Sequence, residues 1–225
     1  MRTASIQLAA ALTLAAAVAS AQDIMTADQF FKQVSARYAT IQDYEAVVAI
    51  KTAKQSMEGT VLYKAPTLMR VDFTQPAGQV FVYNGESLVV YVPEFRAILN
   101  QQVSGTTGAS AATGEGLRML GRNYSIAYET GPTPTVLPGG GEGDLVVRLV
   151  LSRLTVAEGF RTIILSIDPT TLLIRRMEGT TLAGDLMTYD FSDVKLDRGI
   201  AATRFLYDSP ASANVYNDFI FSSGQ

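Results

Sequence analysis

The sequence predicts a mostly β fold: an open, half-barrel antiparallel sheet of about ten or eleven strands, with helices plugging its concave side. Short apolar runs recur at roughly 8–12-residue spacing with turn residues between them, which is typical of β barrels and sandwiches. Asn84-Gly85 separates two of these runs and is a strong hairpin signal. Phe81–Tyr83 and Leu88–Val92 are apolar at consecutive positions, which indicates that both faces of these strands are covered.

The N-terminal segment has the pattern of a cleaved secretory signal peptide, which we place at residues 1–21. Arg2 precedes an apolar stretch from Ile6 to Val18, and Ala19-Ser20-Ala21 forms a cleavage site of the A-x-A type. An anchor helix is the alternative, but the stretch is short for a bilayer and Gln7 interrupts it. We therefore expect residues 22–225 to form one exported domain.

A single amphipathic helix is predicted next, from about Ala27 to Ala39, with Thr26 or Asp28 as its N-cap. Its apolar residues recur at helical spacing and form one stripe: Phe30, Phe31, Val34, Tyr38 and Ile41. The stripe can cover one end of the sheet or contact a ligand, and the pattern alone does not distinguish these roles.

Six strands follow the helix. In the third strand, Met69, Val71 and Phe73 alternate with polar residues, which predicts one wet face. The predicted strands are 44–51, 61–64, 68–73, 80–83, 88–92 and 96–103.

The second half of the chain begins with a glycine-rich stretch. Residues 104–116 are predicted to form a loop, and they lack the Gly-Lys-Ser/Thr of a phosphate loop. A short helical turn at 117–120 and a strand at 123–130 come next, and 131–143 is predicted to be a long hairpin loop. Further strands are predicted at 145–154, 160–167, 172–179, 187–196 and 214–221, with 205–210 capping the end of the sheet.

The amino-acid composition excludes several kinds of catalytic and metal-binding site. The chain has no cysteine and no histidine, so disulfides, thiolate or imidazole metal sites and Ser-His-Asp catalysis are excluded. Its carboxylates are scattered without a spaced pair, and we predict no enzyme activity, no catalytic residues, no metal site and no cofactor. A net charge of −3 argues against nucleic acid as a partner and predicts no polybasic patch for anionic membranes.

A family resemblance rests on the stretch Gly59–Pro93. Three turn motifs separate its strands: Lys64-Ala65-Pro66, Thr74-Gln75-Pro76, and Asn84-Gly85, which is followed by Leu88. Their order resembles that of the LolA family, the periplasmic carriers of outer-membrane lipoproteins. The chain resembles that family from about Phe30 to Gln102. Many carriers have Arg where this chain has Ala65, which bears on how lipid is held and released.

The resemblance implies a function and partners. It implies a monomeric periplasmic carrier that shuttles acylated lipoproteins from the inner to the outer membrane. Its implied partners are an ATP-driven extraction complex in the inner membrane and, as an optional partner, an outer-membrane acceptor. A lipid or lipoprotein sensor, a carrier of another amphiphile such as a glycolipid, and a hydrolase are the alternatives.

An acyl chain needs an apolar lining that binds loosely, because about 0.8 kcal/mol per buried methylene accumulates quickly. We expect the shell to be hollow and Met-, Leu- and Val-rich where the ligand binds. An ordinary closed core is the alternative for each of the same residues. The predicted lining is Val61, Tyr63, Met69, Val71, Phe73, Val80, Val82, Leu88 and Val90, with Phe31, Val34 and Tyr38 from the helix.

Overall fold

A computed structural model describes residues 25–102, 112–155, 159–208 and 210–217. The predicted signal peptide, most of the predicted loop at 104–116 and the end of the predicted last strand lie outside these ranges. Within them, thirteen strands form one open sheet, and two α-helices lie on its concave face. No helix in the described ranges is long and apolar enough to span a bilayer.

The first half of the chain gives one helix and six strands in sequence order. Helix α1 has a capping box, in which the Thr26 hydroxyl accepts from Gln29 N–H and the Gln29 side chain accepts from Thr26 N–H. The elements are α1 (Ala27–Thr40), β1 (Asp43–Lys51), β2 (Ser56–Lys64), β3 (Leu68–Gln75), β4 (Val80–Tyr83), β5 (Ser87–Val92) and β6 (Ala97–Gln102).

The second half gives one helix and seven strands. They are α2 (Gly114–Asn123), β7 (Tyr124–Tyr128), β8 (Thr135–Val136), β9 (Leu145–Arg153), β10 (Phe160–Ile167), β11 (Ile174–Thr181), β12 (Leu186–Leu196) and β13 (Asn214–Asn217). The order across the sheet is β13-β6-β5-β4-β3-β2-β1-β12-β11-β10-β9-β7, and β8 pairs with β9. Strands β1 and β12 join the two halves, and β13 and β7 are the outer strands of the open sheet in the described ranges.

The mostly β, open architecture is confirmed, but three local predictions were wrong. The sheet has thirteen strands in the described ranges and not ten or eleven, and one of the additional strands, β8, lies in the predicted loop 131–143. Strand β13 pairs parallel to β6, although antiparallel pairing was expected throughout. Gly114, Glu115 and Gly116, predicted as loop, are helical, since the Thr113 hydroxyl accepts from Gly116 N–H and caps α2.

The concave face carries the main core, which holds α1 against both halves of the sheet. Phe31 and Val34 are 3% and 0% exposed. The Tyr38 hydroxyl accepts from the buried Ile174 N–H of β11 at 3.0 Å, and the Tyr44 hydroxyl donates to Ala112 O at 3.1 Å. The helix stripe therefore covers strands that are distant in sequence, as a layered domain requires.

The convex face is covered over β2–β6 by the segment 202–208. Phe205, 1% exposed, lies in this segment, and Leu62, Val82 and Ile98 are also buried outside the main core. Arg70 donates to Arg204 O at 3.0 Å and pairs with Asp72 at 2.8 Å. The guanidinium of Arg70 thus serves the outer layer of the fold.

A buried carboxylate fixes the start of β1. Asp43 is 2% exposed and accepts from the backbone N–H groups of Arg198, Gly199 and Ile200 at 2.7, 3.1 and 3.1 Å. Charge-assisted bonds of this kind are stronger than neutral ones. Asp43 therefore ties the chain that leaves β12 to β1.

We expect Asp43→Ala to lower the free energy of unfolding by about 2–4 kcal/mol, because three backbone N–H groups lose their acceptor. Asp43→Asn should lower it less, since one oxygen remains. Urea unfolding followed by circular dichroism measures both. Asp185→Ala, at an exposed carboxylate, is the control, and equal stability of the Asp43→Ala variant and this control would contradict the role given to Asp43.

Candidate ligand-binding surface

Most of the predicted lining residues lie on the concave face and contact one another. Val61, Tyr63, Met69, Val71 and Phe73 are 3–9% exposed and belong to the same cluster as Phe31, Val34 and Tyr38. Their strands bring them together because paired residues of neighbouring strands share a face, as Val61 and Val71 do. In this structure they form a packed core.

Two predicted residues lie on the opposite face. Val80 pairs with Asp72 and Val82 with Arg70, both on the convex side, whereas Val71 pairs with Phe81 and Met69 with Tyr83. The loop between β3 and β4 sets this register, and the apolar run of β4 gave no alternation from which to read it. Val80 and Val82 are therefore removed from the lining, and Phe81 and Tyr83 take their places.

Leu88 and Val90, two further residues of the predicted lining, lie on the concave face. Leu88 pairs with Tyr83, and Val90 pairs with Phe81. Leu88 is half-buried and packs against the core cluster, and Val90 is half-buried as well.

The interior beneath α1 is nearly full. Tyr38, Ile41, Tyr44 and Phe191 help to line a cavity of ≈ 10 Å³. A cavity of that size is at the lower limit for a single water molecule. The expectation of a hollow shell is therefore wrong at this point, where the protein's own side chains fill the space.

A different part of the concave face is only half-covered. It lies towards the end of the sheet at which β1 finishes, here called the Lys51 end. Six apolar or aromatic side chains are half-buried there, and we call this set the apolar mouth: Ile50, Met57, Phe81, Val90, Met177 and Tyr189.

Strand pairing places the mouth residues beside one another. Ile50 pairs with Met57 on β2 and with Tyr189 on β12, and Tyr189 pairs with Met177 on β11. Phe81 and Val90 pair on the other arm of the sheet. The mouth is thus an apolar strip with two thioethers, which adapt readily to the shape of a ligand.

Sequence reasoning missed five mouth residues: Ile50, Met57, Phe81, Met177 and Tyr189. Strand β1 offered no clear signal, because Ala46 to Ile50 is apolar throughout and does not alternate with polar residues. Met177 lies among Arg175, Arg176 and Glu178, and its orientation follows only from the pairing with Tyr189.

The electrostatics of the concave face are those of a dry interior. Burial raises the pKa of Tyr38 to about 12, and it raises the pKa values of Tyr44 and Tyr189 as well. In the described ranges, no group of three or more Asp or Glu side chains is placed to hold a metal ion. The side chains of this face are therefore suited to contact with an apolar ligand.

A family model described as "Outer membrane lipoprotein carrier protein LolA" matches residues 44–208. No curated protein sequence matches the chain. The match spans β1 to the segment over the convex face, so it includes every strand that contributes to the mouth.

Solved structures share the fold at low identity. An uncharacterized conserved protein from Thermus thermophilus has a TM-score of 0.55 and 14% identity, with 83% of this chain and 98% of that chain covered. MucB has a TM-score of 0.50 and 10% identity, covering 81% of this chain and 63% of MucB. A LolA superfamily protein from Nitrosomonas europaea has a TM-score of 0.42 and 13% identity, with 81% and 98% covered. The first two similarities, with TM-scores of 0.55 and 0.50, show the fold alone.

We expect Tyr38→Phe to lower the free energy of unfolding by about 1–3 kcal/mol at pH 7, because the Ile174 N–H loses its acceptor. The pKa of Tyr38 is raised from 10.0 to about 12 in the folded protein, so its contribution is complete below pH 10 and is lost as the pH rises towards 12. The variant should therefore lose less stability than the wild type between these pH values.

Chemical denaturation at pH 7, 10 and 11.5 measures this difference. Tyr216→Phe, at a side chain 54% exposed, is the matched control. A decline in stability with pH that is as steep in Tyr38→Phe as in the wild type would contradict the assignment.

Proposed function

This chain belongs to the LolA family of outer membrane lipoprotein carrier proteins, and from that premise we propose that it binds the acyl chains of lipoproteins and shuttles them from the inner to the outer membrane. The apolar mouth is the observation that carries the proposal. It presents half-buried apolar side chains on the concave face of an open sheet. A surface of this kind contributes binding energy through burial, without a reaction.

The magnitude of burial favours a shallow site. Each methylene buried contributes about 0.8 kcal/mol, so a chain of ~16 carbons that was fully enclosed would be held with on the order of 12 kcal/mol. A carrier must release its cargo, and partial coverage in the mouth lowers the affinity to a range that permits transfer. The flexible side chains of the half-buried Met57 and Met177 can adapt to acyl chains of several lengths.

Deeper entry requires the helices to move, because the cavity beneath α1 has a volume of only ≈ 10 Å³. The two helices are closely packed: a Cβ at Gly114 would lie 3.1 Å from Ala39 Cα, and one at Gly121 would lie 3.1 Å from the Phe31 ring. We expect α1 and α2 to move together. Acyl chains would then replace Phe31, Val34 and Tyr38 against the sheet.

The remaining parts of the proposal follow from the family. The signal peptide at residues 1–21 would direct the protein to the periplasm. An ATP-driven complex in the inner membrane would load it, an outer-membrane acceptor would unload it, and it would act as a monomer without a cofactor or catalytic step. The same mouth would also suit another amphiphile, so the identity of the cargo needs a direct measurement.

Native mass spectrometry of the protein purified from the periplasm identifies the cargo. We expect co-purifying di- or triacylated species, which dissociate at low collision energy because the mouth encloses them only in part. Detection of glycolipid alone would show that the cargo is a glycolipid and not a lipoprotein. An empty protein that turns over ester substrates would overturn the carrier function.

Val90→Gln should weaken binding of a fluorescent fatty-acid probe about three- to tenfold, because an amide replaces apolar surface in the mouth. Val89→Gln is a matched control, since Val89 is the adjacent half-buried valine on the same strand and faces the convex side. Fluorescence titration gives both dissociation constants. Equal effects of the two substitutions would remove the β5 arm from the site.

A further inference from the structure

The Lys51 end of the sheet exposes large apolar side chains on separate hairpins. Leu154 follows β9 and is 61% exposed, while Leu182 and Leu186 flank the β11–β12 turn and are 47% and 50% exposed. Phe95, 69% exposed, lies in the β5–β6 turn on the other arm. Strand pairing puts all of these turns at the same end as Lys51. We call these four residues the apolar rim.

The β11–β12 turn, which supports two of the rim leucines, is closed by hydrogen bonds. Thr181 N–H donates to Asp185 O at 2.9 Å, and Gly184 N–H donates to Thr181 O at 3.1 Å. Gly184 has a φ of 94°, which glycine adopts without strain. Arg161 donates to Leu182 O at 3.0 Å and joins this turn to β10. Leu182 and Leu186 are therefore held outwards by a bonded turn.

Charge is distributed unequally between the two ends. Six basic and three acidic side chains lie at the Lys51 end, counted over the described residues of five segments: 51–58, 93–96, 122–124, 153–161 and 181–186. The basic residues are Lys51, Lys54, Arg96, Arg122, Arg153 and Arg161, and the acidic ones are Glu58, Glu94 and Asp185.

The opposite end is acidic. The connection 129–144 contains Glu129, Glu142 and Asp144 and no basic residue. The chain as a whole carries a net charge of −3. The excess of basic residues at the Lys51 end is therefore local, and the total charge concealed it when the sequence was read for a polybasic patch.

We propose that the apolar rim docks on the surface of an anionic lipid bilayer, with Leu154, Leu182 and Leu186 entering the interface. The basic side chains around them complement anionic headgroups. A fluid interface accepts single apolar side chains on separate hairpins, whereas a folded protein partner would need a continuous complementary face. The inference rests on the proposed carrier function, since the apolar mouth opens at the same end. An acyl chain could then pass between bilayer and mouth with little exposure to water.

The chain contains no tryptophan, so single tryptophans report insertion without background. Leu186→Trp places the probe on the rim, and Val136→Trp places it at the acidic end, at a side chain with a similar exposure of 44%. With phosphatidylglycerol–phosphatidylethanolamine vesicles, we expect a blue shift and quenching by brominated acyl chains for Leu186→Trp alone. Equal responses of both variants, or a response of neither, would overturn the proposal.

Vesicle flotation tests the contribution of the rim. The double variant Leu182→Ser/Leu186→Ser should bind these vesicles at least tenfold more weakly than the wild type and keep its urea midpoint, because both side chains are exposed. Binding should also weaken in 0.5 M salt and on purely zwitterionic vesicles. Unchanged flotation of the double variant would overturn the proposal.

A soluble fatty-acid probe separates the two proposals. The double variant should bind this probe as tightly as the wild type does, since the mouth is intact, and weaker binding would show that the leucines act in the mouth instead. If the wild type binds the probe but not the vesicles, the rim proposal fails and the carrier function stands. If it binds vesicles but not the probe, the carrier function fails and the rim still binds lipid.

Discussion

A single open sheet must have its apolar concave face covered, and helix α1 provides that cover. Phe31, Val34 and Tyr38 contact β strands from both ends of the chain, and the bond from Ile174 N–H to the Tyr38 hydroxyl fixes where the helix lies. Helix α2 packs on α1, and the glycines at 114 and 121 permit that close approach. The core, the narrow space beneath α1 and the position of the mouth all follow from this one contact, because the mouth is the part of the concave face that the helices leave uncovered.

The same contact opposes binding. A ligand that enters deeply must displace apolar side chains that already stabilise the fold, so its affinity is the difference between two burial energies of similar size. That difference can be small even when each part is large, which is how a protein can shield an acyl chain and still give it up. A half-covered strip such as the pair Met57 and Ile50 supplies first contact with little loss of native packing.

Sequence patterns predicted the elements better than the faces. The N-cap candidate Thr26 and the stripe of α1, the bounds of β4 and β10 and the open β architecture were evident, since each depends on local periodicity and turn chemistry. The sequence did not show which side chains of β4 face the concave side, because Val80–Tyr83 is apolar throughout and its register depends on pairing with β3. Met177 escaped notice among charged neighbours for the same reason. Strand β8 is a two-residue pairing with β9 inside a Gly- and Pro-rich stretch, and the parallel pairing of β13 with β6 arises from contacts distant in sequence. Gly114 and Gly116 predict a loop, but the cap at Thr113 overrides that propensity.

The segment over the convex face has a consequence for biogenesis. Phe205 and the carbonyls that accept from Arg70 lie in the segment 202–208, far after β3 in the chain, and β13 completes the edge of β6 from residues 214–217. Chains emerge N-terminus first and domains begin to fold in that order. The arm made of β2 to β6 is therefore translated well before its outer layer, which follows Arg70 by 134 positions, so a nascent chain exposes Leu62, Val82 and Ile98 until the segment 202–208 has been made. Deletion of the segment 202–208 would leave the arm in that immature state, a natural substrate for quality-control proteases.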